Sequence, residues 1–282
     1  MKICSFLVLI LTFSKMYAQD SNRAEKKTAP WFVERFSLTA GAFLPVNNTN
    51  IQVGIKGGTE GTEIDFEKDL GFSKSLVTFW SNFQWRISRR SRVNLNYYNI
   101  PRSSTFMLKH DIVFKNDTFH TGDPIKGFFN TAIYQVSYGY ALITKPKYEL
   151  GLLIGLHVVS ADVGIALNKG NVNQIKSTEL RFAAPLPDVG IWGGYAFSNR
   201  FAVNLDLDYL ALTIGDFSGR ILAFNLAFGY KLVNKLNLAI GYSGLNFNMD
   251  VIKNDGKGQL TWGNNGPALV VTYSFGKKTW GQ

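Results

Sequence analysis

The chain has 282 residues, of which 46% are hydrophobic, 14% aromatic and 18% charged, and its formal net charge is +10. That length admits one large all-β domain or two average domains, and a single cysteine, Cys4, excludes a disulfide-stapled scaffold. Beyond the N-terminus no apolar run reaches the ~18 residues of a spanning helix, so any membrane-embedded reading requires strands.

Residues 1–18 read as a secretory signal: Lys2, an apolar stretch from Cys4 to Phe13, then Tyr17-Ala18 before Gln19. Removing Lys2 and Lys15 with it lowers the formal charge from +10 to +8, and it removes the cysteine. An exported chain without disulfides fits a bacterial envelope. Export also argues against nucleic acid as the partner of this basic chain. Lipopolysaccharide phosphates are the alternative, and scattered solvated Lys and Arg the simpler account. Residues 19–30 are polar and charged and read as a periplasmic tail, leaving 31–282 for the folded unit.

From there the apolar pattern has period two, which marks strands with one greasy face. Phe36 to Leu44 alternates. Asn47 to Ser73 is long and polar, with room for a short hairpin from Ile51–Lys56 and Thr62–Phe66. Val77, Phe79, Phe83, Trp85 and Ile87 share one parity, opposite Asn82, Gln84 and Arg86. After a turn at Arg89-Arg90-Ser91 come Val93, Leu95 and Tyr97. Pro101 lacks a ladder donor, which predicts a bulge or an edge there. The strand is expected to resume through Thr105–Phe114, and Lys115–Lys126 reads as a polar loop. Tyr134 to Leu142 and Tyr148 to Val158 alternate on either side of Lys145-Pro146-Lys147. Asn168–Ser177 is another loop. Val189 to Phe197 and Phe201 to Tyr209 flank Ser198-Asn199-Arg200. Ile221 to Tyr242 forms two strands around Asn234-Lys235, and Leu269 to Phe275 closes the chain.

The connections alternate between tight turns (near Arg90, Pro146, Asn199 and Asn234) and mostly longer loops (46–74, 115–126, 168–178, 215–219 and 253–263). Short turns on one side and long loops on the other are the outer-membrane barrel pattern, and the count gives about ten antiparallel strands, with twelve or eight as alternatives. Both termini are then periplasmic. Trp85, Tyr140, Tyr148, Phe197, Phe201, Tyr230, Tyr273 and Phe275 all lie near a tight turn or the C-terminus on the apolar parity, which suits an interfacial ring.

GTEIDFEKDLGF (61–72), followed by an alternating strand, a basic turn and NLNYYNIPRSS (94–104), resembles a family of uncharacterised Gram-negative outer-membrane β-barrel proteins. GLLIGLHVVSADVGIAL (151–167) and APLPDVGIWGGYAF (184–197) fit it too. The resemblance implies a fold and a location and carries no activity. The final strand, with Tyr273-Ser-Phe275, is similar to the signal read by barrel assembly machinery, although Val270 stands where glycine is frequent and a tail follows the aromatic.

Candidate chemistry is sparse. Asp65, Glu67 and Asp69 would share one strand face and could gather calcium, but the glycine and glutamate spacing of an EF-hand is missing, so a polar extracellular hairpin is the preferred reading. His157, Ser160 and Asp162 suggest a lipid hydrolase, because serine needs a base to become nucleophilic. Three residues apart on a regular strand, His157 and Ser160 face opposite sides. A bulge after Val158, where the parity flips, could realign them. A histidine near the barrel rim is the alternative. His110-Asp111 and His120 form no ligand cluster. Arg35, Arg86, Asn94, Asn96, Asp188, Asn204, Asp206 and Asp208 take the lumen parity, where they would pair as a plug or form a polar constriction. Glycine and alanine at other inward positions leave room for water or for Tyr98 and Trp192. The sequence therefore describes a non-enzymatic outer-membrane barrel without a cofactor, either a narrow pore or small-ligand binder, or a closed barrel whose loops meet lipopolysaccharide or a partner, with a lipid-modifying outer-membrane enzyme as the third reading.

Overall fold

A computed structural model describes residues 29–55, 61–115, 117–167, 177–253 and 256–278. The expected signal peptide, residues 19–28 of the expected tail and most of the 168–177 loop lie outside the described residues. Within them the chain forms fourteen strands and no helix: β1 (Phe36–Phe43), β2 (Val46–Ile55), β3 (Ile64–Asp65), β4 (Thr78–Arg86), β5 (Ser91–Met107), β6 (Ile112–Phe114), β7 (Asp117–Phe119), β8 (Pro124–Thr144), β9 (Tyr148–Leu167), β10 (Ser177–Ala196), β11 (Phe201–Ile214), β12 (Phe217–Val233), β13 (Leu236–Lys253) and β14 (Gly256–Phe275).

Ten of these close into an antiparallel ring in the order β1-β4-β5-β8-β9-β10-β11-β12-β13-β14, shut by β1 pairing with β14 from Phe36↔Phe275 to Phe43↔Ala268. Sequential strands are neighbours throughout, which is the up-and-down barrel. The expected hairpin is present as a short antiparallel pairing of β2 with β3, Asn50↔Asp65 and Ile51↔Ile64, but β2 is also part of the wall. Pro45 interrupts a single wall strand, so that β1 pairs the last third of β14 and β2 continues along its first half, from Asn265↔Val46 to Gly256↔Ile55.

The turn half of the ring wears a belt of exposed apolar side chains, among them Val136, Leu152, Ile154, Val189, Phe228, Ile240 and Leu269. Ile154 is 59% exposed and Ile240 64%. Water would penalise each such side chain by about 1.5–3 kcal/mol relative to burial, and hydrocarbon removes that penalty. Aromatic rings edge the belt at the turns: Phe36 stacks on Phe275 at 5.3 Å and on Trp85 at 6.5 Å, and Phe201 meets Tyr230 at 5.0 Å.

Toward the loop end each long strand reverses its polarity. On β9, Leu152, Ile154 and Leu156 face outward, whereas Val159, Ala161, Val163 and Ile165 face inward and are buried. No bulge intervenes, for β9 pairs both neighbours in unbroken register from Gly151 to Ala166. The parity flip seen after Val158 is therefore a change of solvent, not of backbone. Outside the belt the outer face meets water and the lumen becomes an apolar core.

That core is completed by chain that leaves the wall. β4 ends at Phe79↔Asn99 while β5 runs on to Met107 against β8, so a gap opens between β2 and the outer half of β5. Pro101 falls just past the last β4 partner, where its strand has a neighbour on one side only. Residues 61–77 fill the gap and turn Ile64, Phe66, Leu70 and Phe72 into the lumen. Leu108, Ile112, Phe114 and Phe119 of the β6–β7 hairpin join them, against Ile100, Phe129, Ile133, Phe247 and Trp262. The strand expected over Thr105–Phe114 thus breaks after Met107 and resumes as β6, and the stretch expected to be a polar loop, 115–126, supplies its partner β7, whose Phe119 is buried.

Ile240→Arg is expected to cost about 2–4 kcal/mol, as an arginine on the lipid face does at mid-depth. Ser160→Arg, on the outward face beyond the belt, is expected to leave the urea midpoint of the refolded barrel in lipid unchanged.

Candidate ligand site in the barrel lumen

Below the apolar core the lumen is polar, and Trp192 of β10 organises one side of it. Gly139 and Gly151 give the indole its place: a Cβ on either would lie 2.8 or 2.7 Å from Nε1. Nε1 donates to the Leu152 carbonyl at 3.3 Å. The Arg92 guanidinium stacks over the ring at 3.6 Å, and Arg86 lies 5.7 Å away. Arg92 then reaches across the lumen to Asp206, 2.7 Å away, and donates to Gln84 at 3.3 Å. Arg86 engages both carboxylate oxygens of Glu149, at 2.6 and 3.3 Å, and Arg89 holds one of them at 2.7 Å. Arg86 and Glu149 are each 1% exposed. Charges taken so far from water persist only when paired and hydrogen-bonded in good geometry, and this pair is.

Above these pairs runs a chain of amides. Asn82 donates to Asn96 at 2.9 Å, Asn96 to Gln135 at 2.7 Å, and Gln135 to Asp208 at 3.3 Å. His157 of β9 meets Asp188 of β10 at 2.5 Å, both buried. The opposite wall is built of small side chains: Ala223 and Ala227 of β12, Ala239 and Ser243 of β13, Thr272 and Ser274 of β14, Ser37 and Thr39 of β1. Between the charged side and the small side lies a cavity of about 250 Å³. Trp31 and Phe32, from the segment before β1, line its turn end. Phe32 packs where a Cβ on Gly194 would come within 2.7 Å of its ring. The apolar core closes the loop end.

Of the residues assigned to the lumen by parity, Arg86, Asn94, Asn96, Asn204, Asp206 and Asp208 line this cavity. Asp188 is buried behind it against His157. Arg35 does not join them. It precedes β1, sits over the Phe36 ring at 5.8 Å, and belongs to the turn-end rim. The partners also differ from mutual pairing within that set: Arg86 goes to Glu149, and Asp206 to Arg92. Arg92, Glu149, Gln84 and Gln135 were missed as members. All four fall on the inward parity of their strands, which was the available signal.

His157 is a lumen residue, 3% exposed, and not a rim residue, while Ser160 is exposed on the outer face. The unbroken register puts three residues between opposite sides, so these two do not form a nucleophile and base. The acidic triad is likewise dispersed, because 66–70 is a turn and not a strand. Asp65 accepts from the Glu67 and Lys68 amides and pairs with Lys68, Asp69 accepts from the Asp65 amide, and Glu67 turns inward to Arg102 at 2.5 Å. Among the described residues no group of three or more His, Cys, Asp or Glu could hold a metal ion. Asp111 caps the β6–β7 hairpin: it accepts from the Thr121 amide and hydroxyl and meets His120 at 3.0 Å. Those hydrogen bonds, the Thr121 amide foremost, lower its carboxyl from 3.8 to about 2.

No protein-family model matches the chain, and no curated protein matches it. Solved structures do. The outer membrane protease OmpT from Escherichia coli superposes with a TM-score of 0.54 at 11% identity, over 87% of this chain and 100% of that one. The translocator domain of autotransporter NalP from Neisseria meningitidis gives 0.45 at 9% identity over 96% of each chain, and the Pseudomonas putida toluene transporter TodX 0.34 at 10% identity, over 91% and 93%. The first of these likenesses establishes the fold, that of an outer-membrane β-barrel.

Glu149→Ala strands Arg86 without a carboxylate and is expected to cost about 3–5 kcal/mol, the range for breaking a buried pair, read from the urea midpoint. A carboxyl NMR titration of Asp111 is expected to find its midpoint near 2. Because the folded value is depressed, the cap's contribution is complete above the ordinary 3.8 and fades as pH falls through 2.

Proposed function

We propose that the chain is an integral outer-membrane barrel, with both termini in the periplasm, that holds a small polar ligand in a lumen compartment and carries out no reaction on it. The observation that carries this reading is the cavity itself. It is lined by amides, hydroxyls and paired charges, and it ends at a packed apolar core instead of continuing to the loop end. A conducting pore needs a wetted path along its whole length, and the buried side chains of 61–72 and the β6–β7 hairpin occupy that path. Ligand enters from the turn end, past Trp31 and Phe32. Outer-membrane lipid covers the apolar belt, and barrel assembly machinery reads the final strand. Lipopolysaccharide meets the loop half.

The outer closure hangs on one buried ion pair. Arg102 of β5 meets Glu67 at 2.5 Å, donates to the Thr49 hydroxyl at 2.7 Å and to the Ser73 carbonyl at 3.0 Å. Glu67 in turn accepts from the Thr49 amide at 2.9 Å. One guanidinium thereby joins β5, β2 and the intervening segment across the gap in the wall.

In planar bilayers the wild-type protein is expected to show no steady conductance, whereas Arg102→Ala and a variant with 61–72 replaced by a short Gly-Ser linker are expected to show discrete openings. Steady single-channel currents from the wild type would overturn the closed-compartment reading.

A further inference from the structure

We infer that the ligand of the lumen compartment is a small organic monocation whose ammonium group is held by Asp208, an inference that rests on the compartment reading above. The charges lining the cavity are Arg86 and Arg92 against Glu149, Asp206 and Asp208. Arg86 is taken by Glu149, and Arg92 by Asp206. The carboxylate of Asp208 is left over, and no lysine lines the cavity. Arg89 also holds Glu149, so the three arginines and three carboxylates match in number, but every arginine is already in a pair and Asp208 is in none. His157 stands close enough to interact electrostatically with Asp208, but its Nδ1 is hydrogen-bonded to Asp188 and it leaves Asp208 Oδ1 without a donor.

Asp208 is 6% exposed. Its Oδ2 accepts from Gln135, and its Oδ1 has no hydrogen-bond partner. Oδ1 lies over Gly190, where a Cβ would come within 2.4 Å of it. A buried carboxylate oxygen without a donor is costly, and an ammonium group supplies both the donor and the opposite charge. Trp80 and Tyr98 line the same cavity, their rings stacked at 5.9 Å, and aromatic faces attract an organic cation. Both arginines that could meet an anion are already bound to carboxylates. The alanine wall of β12 and β13 suits methyl or methylene groups, and Asn94, Asn204 and Asn225 suit hydroxyls. A cavity of about 250 Å³ has room for a small organic ligand.

Isothermal titration of the full-length refolded barrel in detergent tests this with ethanolammonium chloride, tetramethylammonium chloride, glycerol and sodium acetate. Both ammonium probes are expected to bind at least tenfold tighter than glycerol or acetate. Asp208→Asn is expected to weaken ethanolammonium at least tenfold while the heat-modifiable mobility of the folded barrel is kept. Should that variant fail to fold, Trp80→Leu removes an aromatic face of the cavity without touching the charge and is expected to weaken the same probe. Glycerol or acetate binding as tightly as the cations, or an unchanged affinity in a folded Asp208→Asn or Trp80→Leu barrel, would overturn the cation assignment and leave the compartment standing. Binding of none of the four probes would overturn both.

Discussion

A strand that crosses from hydrocarbon into water must exchange the roles of its two faces, and that constraint shapes this molecule. In the belt the outer face meets lipid and the lumen takes the polar groups. Beyond it the outer face meets water, and the lumen takes the apolar groups. The twenty-one residues of β8, at ~3.3 Å each and tilted ~40°, rise about 50 Å, roughly twice the ~25 Å of an apolar band. Half of the barrel therefore stands outside the belt, and its lumen is a core in the sense of a water-soluble protein. The polar cavity ends where the change of face begins.

Within the polar half the charges are arranged so that none of the arginines is free to bind an anion. Trp192 fixes Arg92, Glu149 takes Arg86 and Arg89, and Asp206 receives Arg92 across the lumen. These cross-lumen contacts fill one side of the barrel. The cavity survives on the other side because β12, β13, β14 and β1 offer little more than Ala, Ser, Thr and Asn there. Asymmetry in side-chain size, and not barrel diameter alone, makes the compartment.

Much of this was legible in the sequence. The alternation from Phe201 to Tyr242 gives three wall strands and their lipid faces, and the uneven connections give the ring of ten. Asn94, Asn96, Asp206 and Asp208 follow from parity on strands whose apolar face is unmistakable. Arg35 did not follow, because it stands before its strand begins and parity has no hold there. Pairing did not follow either: Arg86 and Glu149 lie on β4 and β9, and only the closed ring brings them together. The loop-end core was hidden for a different reason. Ile64 stands in the two-residue β3, and Phe66, Leu70 and Phe72 follow in a turn and irregular chain without a period, among five acidic or basic neighbours. The change of face after Val158 imitates a bulge, since both shift the apolar residues by one position.

The core at the loop end draws on β2, β5, β8, β9, β10, β12, β13 and β14 as well as on two stretches outside the wall. No subset of adjacent strands can assemble it. Its apolar side chains therefore find the surface that covers them only once the first strand has met the last. The hydrophobic effect in water then acts on a ring already shut, and the loop-end core is the last part of the molecule to compact.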